Sequence, residues 1–138
     1  MKRVEDGKFS SWATSDLKIG EVLDVMTPSG HFQVTPEISA TKNYALFAAG
    51  SGITPIISIA KTILANEPMS TVTLIYGNKG FASIIFREEL EGLKNKYINR
   101  FQLVHVLSRE SLGKKKKKGR IDQEKVELIG RTLLRGET

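Results

Sequence analysis

An uninterrupted apolar run, Tyr44-Ala45-Leu46-Phe47-Ala48-Ala49, leads into Gly50-Ser51-Gly52-Ile53-Thr54-Pro55, and a second apolar stretch leaves it. This junction constrains the fold more than any other part of the chain. An apolar run of strand length without polar alternation suits a strand buried on both faces, as in parallel sheets. A parallel strand needs a crossover after it, and Ile56, Ile59, Ala60 and Ile63 recur at the spacing of one helix face. The glycines between let the main chain turn tightly and admit a ligand close to it. Pro55 suits the first turn of a helix, where the amide it lacks has no intrahelical partner. Strand, glycine turn and helix N-terminus together present backbone N–H groups to an anion, so the turn reads as a phosphate or pyrophosphate cradle. Its pattern is Gly-x-Gly-x-x-Pro, and many such turns carry two glycines with no ligand. Taken alone, the turn leaves a nucleotide site and a plain turn both open.

The alternation continues downstream. Thr71-Val72-Thr73-Leu74-Ile75-Tyr76-Gly77 is a second β-branched run, followed by a loop at Asn78-Lys79-Gly80-Phe81-Ala82. Ser83 suits the cap of a helix with Ile84, Phe86, Leu90 and Leu93 on its core face, ending near Tyr97. Glu88 and Glu89 fall on its solvated face rather than forming a catalytic pair. A third strand runs from Arg100 to Leu107, a loop spans 108–119, and a last helix, capped by Asp122, runs to about Leu134. The order β-α-β-α-β-loop-α predicts an α/β fold with a parallel sheet, helices on both faces and right-handed crossovers. Ligands of such sheets bind at the carboxyl ends of the strands, so the loops at 50–55, 77–82 and 108–119 belong on one rim.

The residues before this pattern have another texture. Met1 to Glu5 alternates weakly, as an edge strand does. Gly7 opens a turn, Ser10 or Ser11 caps a short helix reaching Leu17, and Gly20 closes it as a C′ residue. Glu21 to Met26 reads as a half-buried strand, Thr27-Pro28-Ser29-Gly30 as a turn, and His31 to Val34 as a short strand. The polar, irregular stretch from Pro36 to Asn43 reads as a linker. The chain therefore divides into a partial all-β segment at 1–36 and an α/β domain at 37–138.

Composition narrows the chemistry. With no cysteine in 138 residues, disulfides, thiolate metal sites, iron–sulfur ligation and a cysteine nucleophile are excluded within this chain. His31 and His105 stand far apart and suggest no metal or catalytic pair. No leader-like segment and no membrane-length apolar run are visible, which makes a cytoplasmic location the expectation. The net charge of +6 rests largely on five consecutive lysines at 114–118, read as a solvated loop. Docking of an acidic electron-transfer partner is the alternative there. No interleaved aromatics or accompanying motif support nucleic-acid binding.

Read together, these residues resemble the ferredoxin–NADP⁺ reductase-type flavoproteins, in the branch of NAD(P)H-dependent reductases that serve multicomponent oxygenases. Gly7-x-x-Ser10 with Trp12, Leu17-Lys18-Ile19-Gly20 and Pro28-Ser29-Gly30-His31-Phe32 resemble the close of that family's flavin domain. The glycine turn from Ala48 to Pro55 resembles its nicotinamide-domain motif. Tyr76-Gly77-Asn78-Lys79 with Ile84-Ile85-Phe86-Arg87-Glu88-Glu89-Leu90 resembles its second βα unit. His105-Val106-Leu107-Ser108-Arg109-Glu110 and Gly119-Arg120-Ile121-Asp122 resemble its third strand and the segment before its fourth helix.

The resemblance implies the end of an FAD-binding domain followed by most of an NAD(P)H-binding domain. It implies NADP or NAD and FAD as cofactors, and an iron–sulfur or ferredoxin domain or an oxygenase component as partner, with no nucleic acid and no membrane. Gly7, Ser10 and Ser11 would lie at the flavin pyrophosphate. Gly50, Ser51, Gly52, Thr54 and Pro55 would border the NAD(P)H pyrophosphate and nicotinamide ribose, Thr54 doubling as an N-cap. Asn78 and Lys79 would meet the adenosine ribose, where a lysine without a neighbouring acid tilts toward NADPH. Ser108 and Arg109 would reach the cofactor phosphates. The family's arginine-x-tyrosine/threonine-serine flavin strand and its late cysteine-glycine-proline motif are both missing. A non-catalytic nucleotide-binding α/β module, or a basic-loop domain for nucleic acid or a protein partner, remain the competing readings.

Overall fold

The computed structural model describes residues 1–108 and residue 127. Arg109, the lysines at 114–118 and, apart from residue 127, the helix expected from Asp122 lie outside the described residues. The chain divides into two units, Met1–His31 and Phe32–Thr138.

In the second unit, β1 (Asn43–Ala49), β2 (Thr71–Asn78) and β3 (Phe101–Leu107) form a parallel sheet in the order β1-β2-β3. The register runs from Asn43↔Thr71 to Ala49↔Gly77, and from Val72↔Phe101 to Asn78↔Leu107. The crossovers are α2 (Ile53–Asn66) between β1 and β2, and α3 (Arg87–Lys96) between β2 and β3. Both helices pack on one face: Ile56, Ala60 and Ile63 of α2 and Leu90 and Leu93 of α3 share a core with Val72, Leu74 and Phe101. Right-handed crossovers give this arrangement when strand order follows chain order. The opposite face is apolar too. Phe47, Ile75 and Val104 lie in one row across it, and Ile75 and Val106 are buried. This is the composition of a sheet covered on both sides.

α2 follows a 3₁₀ turn at Gly50–Gly52, and Pro55 is its third residue. It stops at Asn66 because Pro68 bars the helical conformation to the residue before it, and Glu67 sits at φ −115°, ψ 87°. α3 begins three residues later than the spacing predicts, capped at Phe86 instead of Ser83. The Ser83 hydroxyl accepts from Gly80 N–H at 3.2 Å and donates to the Gly80 carbonyl at 2.7 Å, closing a turn instead of capping a helix. The chain enters α3 through Phe86 at φ +58°, which leaves that ring exposed rather than in the core. Ile84, Leu90 and Leu93 are buried as expected. Glu88 and Glu89 occupy the first turn of α3 and Lys94 and Lys96 its last, complementing the helix dipole. Glu89 pairs with Lys61, both partly exposed, as a solvated face requires.

The amino edge of the sheet is tied by Glu67. This side chain is fully buried, accepting from Ser70 Oγ at 2.7 Å, Tyr44 Oη at 3.1 Å and Glu37 N at 3.0 Å. The Ser70 hydrogen bond leads in holding its carboxyl below the usual carboxylate range. Burial opposes it, and the Glu37 N–H and the Tyr44 hydroxyl assist. Burial, then the bond to Glu67, raises the Tyr44 phenol. Arg100 donates to the carbonyls of Leu64, Glu67 and Ser70 at 2.8, 2.8 and 3.1 Å, satisfying the C-terminus of α2.

In the first unit, α1 (Lys8–Ser15) is the helix expected there, but Gly7 is its N-cap and no side chain caps it. Ser10 and Ser11 are inside it. The Ser10 hydroxyl accepts from Val4 N–H at 3.0 Å, which removes it from a capping role. Gly20, at φ +95°, belongs to a later turn closed by Glu21 N–H on the Lys18 carbonyl at 3.2 Å, not to the end of α1. The strands expected at 1–5, 21–26 and 31–34 do not form. A strand needs a hydrogen-bonding neighbour, and none pairs with these residues in the described chain. Trp12 packs against Phe9, ring centroids 5.6 Å apart.

Candidate functional site

The parallel register sets the carboxyl ends of all three strands on one rim. β1 delivers Gly50 at φ +51°, a conformation that glycine adopts without strain. Among the described residues, a Cβ added at Gly50 or Gly52 would meet no atom within 4 Å, so packing does not exclude a side chain there and the space beside the turn is open. The Ile53 N–H that opens α2 is tied back to the Gly50 and Ser51 carbonyls, so the turn and the helix run on as one N-terminal unit with its positive end at the glycines. Neither the 3₁₀ turn nor α2 begins with an acid, so the positive end of the α2 dipole is not neutralised locally. Ser51 is exposed; the Thr54 hydroxyl donates to the Ser51 carbonyl at 3.2 Å. Thr54 is therefore the second residue of α2 and holds the turn, while Gly52 takes the N-cap position.

Asn78 closes β2. Its carbonyl accepts from Ser108 N–H at 2.9 Å, which puts Ser108 beside it on the rim. The residue is only 8% exposed, and the buried Nδ2 has no hydrogen-bond partner among the described residues. A buried amide without a partner carries a desolvation penalty, and an acceptor brought by a ligand would relieve it. Lys79 is exposed on the same edge. Gly7, Ser10 and Ser11 belong to the first unit. Gly7 packs closely: an added Cβ would stand 2.5 Å from Ser10 Oγ and 3.1 Å from the Val4 carbonyl oxygen, so a side chain there would have to displace the Ser10 hydroxyl. Arg109 lies outside the described residues.

The sequence reading names Asn78 for the ribose at the end of the second strand but not its burial, which follows from its place as the last rung of β2; a second feature escaped it altogether. This is Tyr76, whose ring is fully buried. Its hydroxyl donates to the Gly50 carbonyl at 2.9 Å and accepts from Ile85 N–H at 3.3 Å. Its ring centroid lies 6.0 Å from that of His105. Among the described residues, no three His, Asp or Glu side chains gather as a metal site, and no helix is long and apolar enough to cross a membrane.

An open glycine turn at a helix N-terminus, with an amide on the adjacent strand end that is unpartnered among the described residues, fits the pyrophosphate and ribose of a dinucleotide. Comparison with known proteins agrees with this chemistry. Residues 46–137 match the oxidoreductase NAD-binding domain family, and the chain belongs to it. It is 43% identical over 134 residues to one component of the 1,2-phenylacetyl-CoA epoxidase of Escherichia coli K12, covering 97% of this chain and 38% of that protein. It is 43% identical over 107 residues to the ferredoxin reductase component of 3-ketosteroid-9-alpha-monooxygenase from Rhodococcus rhodochrous, covering 78% of this chain and 29% of that one. Among solved structures, the CS-b5R domains of human Ncb5or in the NAD⁺ form match with a TM-score of 0.76 at 30% identity, over 96% of this chain and 36% of that one. The chain thus spans well under half the length of these relatives.

Proposed function

We propose that the chain is the nucleotide-binding part of a flavoprotein reductase that takes electrons from NAD(P)H and passes them through FAD to an iron–sulfur, ferredoxin or oxygenase partner. The observation that carries this reading is the buried Asn78 amide, unpartnered among the described residues, beside the open glycine turn. The names of the relatives, a ferredoxin reductase component and an epoxidase component, support the partner class and favour an enzyme over a non-catalytic nucleotide module.

In this reading the backbone amides of Gly50, Ser51 and Gly52 face the pyrophosphate, and Thr54 and Pro55 hold the turn that presents them. Asn78 Nδ2 donates to the adenosine ribose, and Lys79 supplies the positive charge that a 2′-phosphate would select. Ser108 and Arg109 complete the phosphate side. Gly7, Ser10 and Ser11, in a flavin-side segment at 1–36, would meet FAD through the N-terminal amides of α1. The bound cofactors supply hydride and single-electron transfer. The work of this chain is to bind and orient them. A cytoplasmic location goes with this reading, as does the division at 36/37.

Titrating the chain with NADP⁺ while following backbone amides tests it. The amides of 50–54, 78 and 79 should move together with one dissociation constant, and NAD⁺ should bind more weakly. If they stay still while RNA moves the lysines at 114–118, the basic-loop reading replaces this one.

A further inference from the structure

Tyr76 does more than fill the core. The Gly50 carbonyl receives two hydrogen bonds, from the Ile53 N–H and from the Tyr76 hydroxyl. The first ties the Gly50–Ser51 peptide to its own helix, and the second ties it to the sheet. In a trans peptide the C=O and N–H point in opposite directions. Holding the Gly50 oxygen on Tyr76 therefore aims the Ser51 N–H away from the tyrosine. This matters because glycine at φ +51° leaves the peptide plane on its carboxyl side easy to rotate.

The same hydroxyl accepts from Ile85 N–H. Ile85 precedes Phe86, a non-glycine residue held at φ +58°, a conformation that costs energy and persists only when its surroundings impose it. One oxygen atom thus joins the glycine turn to a strained segment between β2 and α3.

We propose that Tyr76 is a positioning residue for nucleotide binding: its hydroxyl fixes the Gly50–Ser51 peptide so that the Ser51 N–H faces the phosphate, and it transmits occupancy of the turn to residues 84–86. This rests on the nucleotide reading above and names a residue for it that touches no ligand.

The test is an NADP⁺ titration of the whole chain as wild type and as Tyr76→Phe, which removes one oxygen and keeps the buried ring. In the wild type, Ser51 and Ile85 amides should shift together with one dissociation constant. In Tyr76→Phe the dissociation constant should rise about tenfold, the loss expected for a hydrogen bond that orients a donor. Ile85 should cease to follow Ser51, although the methyl spectra of Ile63, Leu74 and Leu90 are unchanged. A merely structural tyrosine would lower the unfolding midpoint and leave Ile85 coupled to Ser51. Binding within twofold of wild type, or continued coupling, overturns the proposal. Should Tyr76→Phe fail to fold, Ile85→Pro removes the N–H that Tyr76 accepts; Ile84, at φ −70°, ψ 113°, already has the backbone a following proline requires. With that variant, loss of the wild-type response at Arg87 supports the relay and its persistence overturns it. A wild-type chain in which NADP⁺ moves neither Ser51 nor Asn78 removes the nucleotide reading itself, a result distinct from loss of coupling.

Discussion

At the amino edge of the sheet, Glu67 receives three hydrogen bonds and Arg100 donates to three carbonyls, whereas at the carboxyl edge the Asn78 amide is buried with no partner among the described residues. The two edges belong to the same three strands and differ in what their polar groups are for. A buried charge is tolerable when its surroundings satisfy it, and the partners of Glu67 come from chain segments that must meet for the sheet to form. That edge holds the fold. The carboxyl edge keeps an open glycine turn and an amide that is unpaired among the described residues, features that lower stability unless something binds. The difference teaches where to look for function in this domain: at the edge where, among the described residues, a buried amide stands unsatisfied.

The sharpest way to break this division is Arg100→Ala. Losing its bonds to the α2 terminus should destabilise the chain by about 3 kcal/mol, the scale of several charge-assisted hydrogen bonds lost together. NADP⁺ affinity at equal folded fraction should not change. Urea unfolding and a parallel titration measure both. An affinity loss comparable to the stability loss would dissolve the distinction between the edges.

Next in size is the pH dependence carried by Glu67. Its carboxyl is held below the ordinary value near 4.5. The stability it contributes is therefore fully present above that value and is lost as pH falls through the lower folded value. Urea midpoints measured from pH 7 down should fall below about pH 4.5 in wild type. They should fall less in Glu67→Gln, which starts lower at neutral pH. A variant that follows the wild-type acid limb in parallel would assign that limb to other carboxylates.

The smallest stability effect and the clearest functional one should come from Asn78→Ala. Removing a buried amide that is unsatisfied among the described residues should leave stability within about 1 kcal/mol of wild type, or raise it. NADP⁺ affinity should fall about fivefold to tenfold. Thermal unfolding and calorimetric titration separate the two. Strong destabilisation with unchanged binding would make Asn78 a structural residue like Ser70.

Much of the sheet was legible because its signal is local. The run from Tyr44 to Ala49 and the β-branched run from Thr71 became β1 and β2, and Pro68 ended α2 by its own ring geometry. Ser83 misled because a serine closes a local turn as readily as it caps a helix, and only the turn with Gly80 decides between them. The residues from Glu21 to Val34 misled for a different reason. Alternation marks a sequence able to be a strand, but a strand exists only with a neighbour. At the site, Gly50 and Thr54 could be read from the turn pattern. Tyr76 and the burial of Asn78 could not, because both depend on the register that sets Ala49 beside Gly77 and Asn78 beside Leu107.

The central claim is that the carboxyl edge binds the dinucleotide and Asn78 meets it. The most direct measurement follows the side-chain NH₂ resonances of Asn78 as NADP⁺ is added, with the amides of Thr71 and Phe101 at the opposite edge as internal references. The Asn78 pair should shift and exchange more slowly with solvent, saturating with Ser51, while Thr71 and Phe101 stay in place. An Asn78 side chain that remains unmoved as NADP⁺ saturates the chain would contradict the account.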